Sequence, residues 1–442
     1  MSTMKKLCIL GDVLLDYTIT PPDEEDKMRL GGIFHAARAA WAIEINYELA
    51  YFSPAYLDEQ IVNYSSKKTG STLKIGNITG SPNVILIKES KEIGDQGYEL
   101  LLRDERKYQI DTNEFKKRLL ENYYSQILLF TGGYDLKEML LVLRDIDIPL
   151  HIDIANDIGT LAELKTLDRK FKTIFLSTSS KIFKDTYSSN IANLTSEIAD
   201  YCEALIFKEN RGGSRGYFFL DDTMLQIPSQ TRKIVHSVGV GDTYDIAYLS
   251  KIDKHSPTDS LNYASWAAME YASTTFPLDF KRSIERLEKI EIEKLKEIGG
   301  VILPWETRDA INIYIAGPDF DYVEKTKFDL IQKALKYHNF TPRFPIRENG
   351  QLTKESTTRE KQVVCDKDID LLKDCQILIA VLIFNDPGTL VEIGIAIASG
   401  IPTLVYDPLN LVNNCILSQA PTLVSSDLDE IISQVFILSN KN

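Results

Sequence analysis

QILIAVLIFNDPGTLVEIGIAIASG, residues 376–400, sets a short apolar run, a turn and a small-residue apolar helix in one line. The run is bounded by turn residues and rich in Ile, Leu and Val, so it reads as a strand buried on both faces. Asn385-Asp386-Pro387-Gly388 is turn chemistry, and Gly400 stops the helix that follows. Glu392 is the odd residue, a carboxylate on the first turn of a helix otherwise built for burial. Thr389 and Glu392 make a Thr-x-x-Glu capping box, which is one reason for it. The other is chemical: Glu392 as a nucleophile and Asp386 gripping a substrate, both at the carboxyl end of a strand, where open α/β sheets hold ligands.

Outward from this unit the alternation continues. Strand INIYIAG, helix YVEKTKFDLIQKALKYHN, the quoted strand and helix, strand PTLVYD and helix SDLDEIISQVFIL form a compact α/β domain over 311–442. Before it, VILPWETRDA reads as a linker, 300–310. Residues 1–299 alternate again, with strands KLCILGD, YELAYFS, NVILIKE, QILLFTGG, LHIDIAND, TIFLSTS, EALIFKEN and GYFFL and helices such as GIFHAARAAWAIE. The interval 71–110 reads as a small antiparallel flap, and 242–298 as nearly all helical.

Bulk properties narrow the function classes. With 442 residues and 44% hydrophobic content, the chain can bury two or three cores. A net charge of −14 argues against a nucleic-acid polymer or an anionic membrane as partner, leaving small molecules. The five cysteines are scattered and in no metal spacing, and the five histidines likewise, so no metal site is expected and the thiols read as those of a cytoplasmic protein. The opening KKLCILGDVLLDY is too short for a membrane span. His35 and His151 read as structural or lid residues, YELAYFSPAY as core, and ERLEKIEIEKLKE as a solvated helix face. Arg343 and Arg347 read as loop charge in preference to a 5′-phosphate site.

IYIAGP, DKDIDLLKDCQILIAVL and DPGTLVEIGIAIASGIP together resemble the nucleoside 2-deoxyribosyltransferase family, over roughly 310–442. The resemblance implies Glu392 as the nucleophile at C1′, oriented by Tyr314, with Asp386 and Asp366 holding the nucleobase and assisting proton transfer. It places Gly317, Pro318 and Gly388 in the substrate loops, and Asn413 or Asn414 at the sugar of a neighbouring subunit's site, hence a homo-oligomer. No cofactor is needed. Independently of the family, departure of a base from deoxyribose passes through an oxocarbenium-like state that a carboxylate can stabilise and trap. Water in place of an acceptor base would make the same site a hydrolase.

HSVGVGDTYDIAYLS is the second signal. Gly239, Val240 and Gly241 open a helix whose free N–H groups suit an anion, and Asp242 stands where a base would take a hydroxyl proton. With CILGDVLLDYTI, RLGGIFHAARAA and ENRGGSRGYFFL upstream, residues 4–298 resemble the ribokinase-like (phosphofructokinase-B type) kinases. That resemblance implies Asp16, Gly31 and Gly32 facing a sugar, Gly213 and Gly216 facing a nucleotide, and ATP with Mg²⁺ as cofactors. The sequence departs from the family at three places: His236 replaces an Asp, Ala36 an Asn, and TSSKIFKD offers no Asn-x-x-Glu. The expected fold is therefore a ribokinase-like three-layer domain with a small β flap, then a compact flavodoxin/Rossmann-like parallel-sheet domain. The expected activity is N-glycosidic cleavage or transfer on 2′-deoxynucleosides or deoxynucleotides. Two other readings stand beside it: a nucleotide-sensing glycosidase effector acting on deoxynucleotides or NAD, gated by an inactive kinase-like domain in phage defence, and an active nucleoside or sugar kinase.

Overall fold

The structure is a computed structural model that describes residues 5–20, 25–155 and 158–440. It divides into two compact units, Met1–Lys91 with Gln96–Ile302 and Glu92–Asp95 with Leu303–Asn442. Among the described residues no helix is long and apolar enough to cross a membrane.

The first unit is built on a mostly parallel sheet. Its order runs Thr223–Ile227, Ser214–Phe218, Cys202–Lys208, Phe171–Ser177, Leu150–Asp153, Tyr124–Phe130, Lys6–Thr18, Tyr47–Ser53, Ser71–Thr79, Lys107–Ile110. Lys6–Thr18 lies at its centre, pairing in parallel with Tyr47–Ser53 on one side and Tyr124–Phe130 on the other. Leu7 and Ile9 pack in one core cluster with helices Phe34–Ala42, Val240–Lys251 and Pro257–Ala272. Cys8 and Leu10 point the opposite way by the strand's pleat and are also fully buried, so both faces are covered.

The flap differs from the sequence expectation. Lys6–Thr18 does not stop at Asp12; its second half pairs antiparallel with Lys27–Gly32 and in parallel with Val84–Ile87. Ser71–Thr79 belongs to the main sheet, paired in parallel with Tyr47–Ser53, and Lys107–Ile110 extends that edge. Only Val84–Ile87 and Glu99–Leu100 of the 71–110 interval join the flap. The long first strand supplies the other half, because it keeps finding pairing partners beyond the edge of the main sheet.

Three charged residues lock the carboxyl ends of this sheet. Lys208 Nζ, at the end of Cys202–Lys208, donates to Asp153 Oδ2 at 2.8 Å and to Asp245 Oδ1 and Oδ2 at 2.8 and 3.0 Å. Asp153 ends its own strand, and Asp245 lies on helix Val240–Lys251. All three are buried.

The second unit has five parallel strands in the order Thr341–Arg343, Asn312–Ala316, Ile377–Val381, Thr403–Tyr406, Leu423–Ser425. Numbered along the chain this is 2-1-3-4-5, which places the reversal of strand order between Asn312–Ala316 and Ile377–Val381. A helix absent from the sequence reading, Thr358–Lys373, precedes Ile377–Val381, with Thr357 and Glu360 forming a capping box at its start.

Removing Lys208 leaves two buried carboxylates without a countercharge, a change that costs about 3–5 kcal/mol. Lys208→Met should lower the urea midpoint of the first unit's unfolding, most at high pH, where neither carboxyl escapes by protonation. An unchanged midpoint would show that the triad carries no such weight.

Candidate active site

The reversal of strand order in the second unit is where its chemistry collects. Tyr314, in the middle of Asn312–Ala316, is fully buried among Leu371, Leu372, Ile393 and Ala396, and its hydroxyl donates to Glu392 Oε1 at 2.6 Å. Burial first, then the charges of Glu392 and its own hydrogen bond, push the Tyr314 phenol far above its usual value, so it remains a donor. Glu392 is half-buried. Burial pushes its carboxyl up to about 7; the Tyr314 bond opposes this, while the charges of Asp368 and Asp386 add to it. The group thus changes charge near neutral pH.

Helix Pro387–Ala398 is capped by Asp386, not by Thr389. Asp386 Oδ2 accepts from the Thr389 amide at 2.7 Å and the Thr389 hydroxyl at 2.8 Å. The Thr389–Glu392 capping box is therefore absent, and Glu392 stands on the second turn rather than the first. The cap removes the purely structural reason for a glutamate at this position. Gly388 closes the same turn, where a side chain would press on Asp386 Oδ2.

Asp366 is exposed and bonded by Gln362 Nε2 at 2.8 Å on its own helix. The carboxylate whose charge reaches Glu392 and Tyr314 is Asp368. Residues two apart on a helix point about 200° from one another, so both cannot face one site. Asp368 shares its stripe with buried Leu371 and Leu372, at the i+3 and i+4 positions, and this periodicity was the signal that could have found it. Asp368 Oδ1 accepts from Asn349 Nδ2 at 2.7 Å; burial raises its carboxyl and the Asn349 bond holds it back.

The mouth of the site is braced. Gly317 packs against the Phe328 ring with no room for a side chain. Pro318 and Asp319 are buried, and Asp319 accepts from Arg347 at 2.5 and 3.2 Å. Arg347 also reaches Asp329 and Gln332, and Arg343 is bonded to Glu348, so both arginines are engaged by side chains of this unit. Asn414 caps the short helix Cys415–Gln419 through its own carbonyl, while Asn413 is exposed. A cleft of about 580 Å³ opens along Gln351, Leu352, Thr357, Arg359 and Val363, with Asn349 at its edge.

The first unit brings several of its expected residues close to one another. Gly239 caps helix Val240–Lys251 at φ 88°, and a side chain there would strike the His35 ring. Gly241 approaches Lys208 Nζ, and burial together with the charge of Asp153 pushes Asp242 up to about 7. Asp16 is buried over Gly31 and paired with His35 Nε2 at 2.9 Å and Arg29 Nε at 3.4 Å. Its Oδ2 is nonetheless a buried oxygen without a hydrogen-bond partner. Gly32, at φ 58°, lies tight against the Asp12 carbonyl. Gly213 and Gly216 have packing reasons of their own: a side chain would meet the Ile227 carbonyl at the first and Leu261 and Phe218 at the second.

Comparison with solved structures relates the first unit to sugar and nucleoside kinases by fold. An uncharacterized sugar kinase from Pyrococcus horikoshii is 14% identical, with a TM-score of 0.50 over 66% of this chain and 99% of its own. A nucleoside kinase of the ribokinase family from Methanocaldococcus jannaschii is 16% identical, with a TM-score of 0.46 over 65% of this chain and 99% of its own. A comparison with curated protein sequences finds no match. The family model of nucleoside 2-deoxyribosyltransferase matches residues 313–420, the span that holds Tyr314, Asp368, Asp386 and Glu392. The chain therefore joins a unit whose fold is similar to that of sugar kinases to a segment, residues 313–420, that matches the family model of nucleoside 2-deoxyribosyltransferase.

Proposed function

We propose that the second unit cleaves the N-glycosidic bond of 2′-deoxynucleosides or their nucleotides and passes the deoxyribosyl group to an acceptor base through a covalent Glu392 intermediate. The single observation that carries this is the Tyr314–Glu392 pair at the reversal of strand order. With Oε1 held by the tyrosine, Oε2 is free to attack C1′ while the C1′–N bond breaks and its electron pair stays on the base nitrogen. Asp368 takes the role the sequence reading gave Asp366, a proton donor to the departing base. Gly317 and Pro318 shape the substrate loop. Leu390 and Val391, 37% and 59% exposed on the Glu392 helix, support a homo-oligomer in which Asn413 reaches a neighbouring copy's sugar.

For the first unit we propose nucleotide binding at the Gly239–Asp242 turn with slow or absent phosphoryl transfer. The cluster does not fit Mg²⁺. Asp153 and Asp245 already share the Lys208 ammonium, and among the described residues no group of three or more acidic, histidine or cysteine side chains is arranged to hold a metal.

Glu392→Gln should abolish base release from deoxynucleosides, read by mass spectrometry, because the amide preserves the acceptor for Tyr314 but cannot form the ester. Turnover at the wild-type rate would sink the nucleophile. Stability gives a second reading of the same residue. The folded carboxyl titrates at about 7 against a reference of 4.5, so the folded state holds a proton that the unfolded chain releases. That contribution is full below about 4.5 and is lost as pH rises through 7. The variant should thus gain stability over wild type above pH 7 in thermal melts.

Asp368→Asn should slow base release by about tenfold or more, in the range expected of general acid–base residues, and Asp366→Asn should leave it within twofold. The reverse order would restore Asp366. In the first unit, calorimetry with ATP should detect binding in the wild type and equal or tighter binding in Asp242→Asn, which removes a negative charge. Brisk phosphorylation of a nucleoside, lost in that variant, would overturn the non-kinase reading.

A further inference from the structure

We propose that Asn349 is a positioning residue for Asp368: by donating to Oδ1 it confines the carboxyl proton, and its delivery to the departing base, to Oδ2. The inference rests on the reading of the second unit as an N-glycosidic transferase.

Asn349 ends helix Pro345–Asn349, and this short helix is bolted down at consecutive positions. Arg347 bonds Asp319, Asp329 and Gln332, and Glu348 accepts from Arg343 and from the Phe344 amide. The Asn349 side chain therefore leaves a fixed support, and its Nδ2 lies 2.7 Å from Asp368 Oδ1. An oxygen that accepts an amide N–H is the poorer place for a proton, because the N–H favours the charged form of the carboxyl. The other oxygen is left for the ligand. Glu360 and Val364, which line the cleft together with Asn349, fall on the same stripe of helix Thr358–Lys373 as Asp368.

Glu392 Oε2 forms a bond to C1′ as the C1′–N bond breaks, and the electron pair goes to the base nitrogen. The Oδ2 proton of Asp368 passes to the base. Asp368 is left as a carboxylate, and the Asn349 N–H at Oδ1 stabilises that new charge. Asn349 thus matters in proportion to how much the leaving base needs a proton.

That dependence is the test. Asn349→Ala should lower kcat for 2′-deoxyuridine by about tenfold or more, the loss expected for a hydrogen bond to a charged group. With 5-fluoro-2′-deoxyuridine, whose base departs more readily as an anion, the loss should be less than about threefold on the same reasoning. In protein labelled with ¹³C at aspartate carboxyls, the Asp368 signal, assigned by its loss in Asp368→Asn, should titrate at higher pH in the variant. If Asn349→Ala does not give a wild-type circular dichroism spectrum, Asn349→Leu, near-isosteric and without a donor, takes its place. An equal loss with both substrates, or an Asp368 titration that does not move, overturns the inference and leaves the functional reading intact. A wild-type protein that releases no base from any deoxynucleoside removes the functional reading and this inference with it.

Discussion

A carboxylate with one oxygen held by a tyrosine is the constraint around which the second unit is arranged. Tyr314 can hold Glu392 only because it is itself immobile, fully buried on a central strand and walled by side chains from helices Thr358–Lys373 and Pro387–Ala398. The strand order puts that tyrosine next to the crevice, and the Asp386 cap fixes where the Glu392 helix begins. Burial then does to Glu392 what water would prevent, bringing its ionisation near neutrality. Each element serves the next: sheet, cap, hydrogen bond, proton affinity.

The first unit shows a different use of buried charge. Lys208 occupies two aspartates that would otherwise be free at the carboxyl edge of the sheet, and His35 and Arg29 lie against Asp16. The Lys208 triad holds its shape without a ligand. The resemblance to sugar and nucleoside kinases is one of fold.

How much of this was legible follows from which physical signal each residue carries. Glu392 and Tyr314 stood out because a lone charge in an apolar helix, and a strand ending in Gly-Pro, are local patterns. The cap was misplaced at Thr389: both Asp386 and Thr389 are good caps, and only the backbone shows that the helix begins at Pro387. Asp368 was not singled out because Thr358–Lys373 is strongly charged and was not recognised as a helix, so the facing of its carboxylates could not be deduced. The flap was half found, since a strand that changes partners midway leaves no mark in its own alternation. Lys208 was beyond reach. Its partners lie 55 and 37 residues away, and nothing in IFKEN distinguishes a buried ammonium from a solvated one.

Tyr314 and Glu392 are separated by 78 residues, and they meet across a sheet in which every adjacent pair of strands is parallel. Parallel neighbours cannot be joined by a tight turn, so each pairing waits for a long crossover to close. On a ribosome this ordering has a temporal meaning. The first unit's central strands are synthesised long before the second unit has any, whereas Glu392 and Tyr314 cannot touch until Pro387–Ala398 has left the exit tunnel and docked. The buried tyrosine–carboxylate pair therefore never exists on a half-made chain, and it forms only as synthesis nears its end.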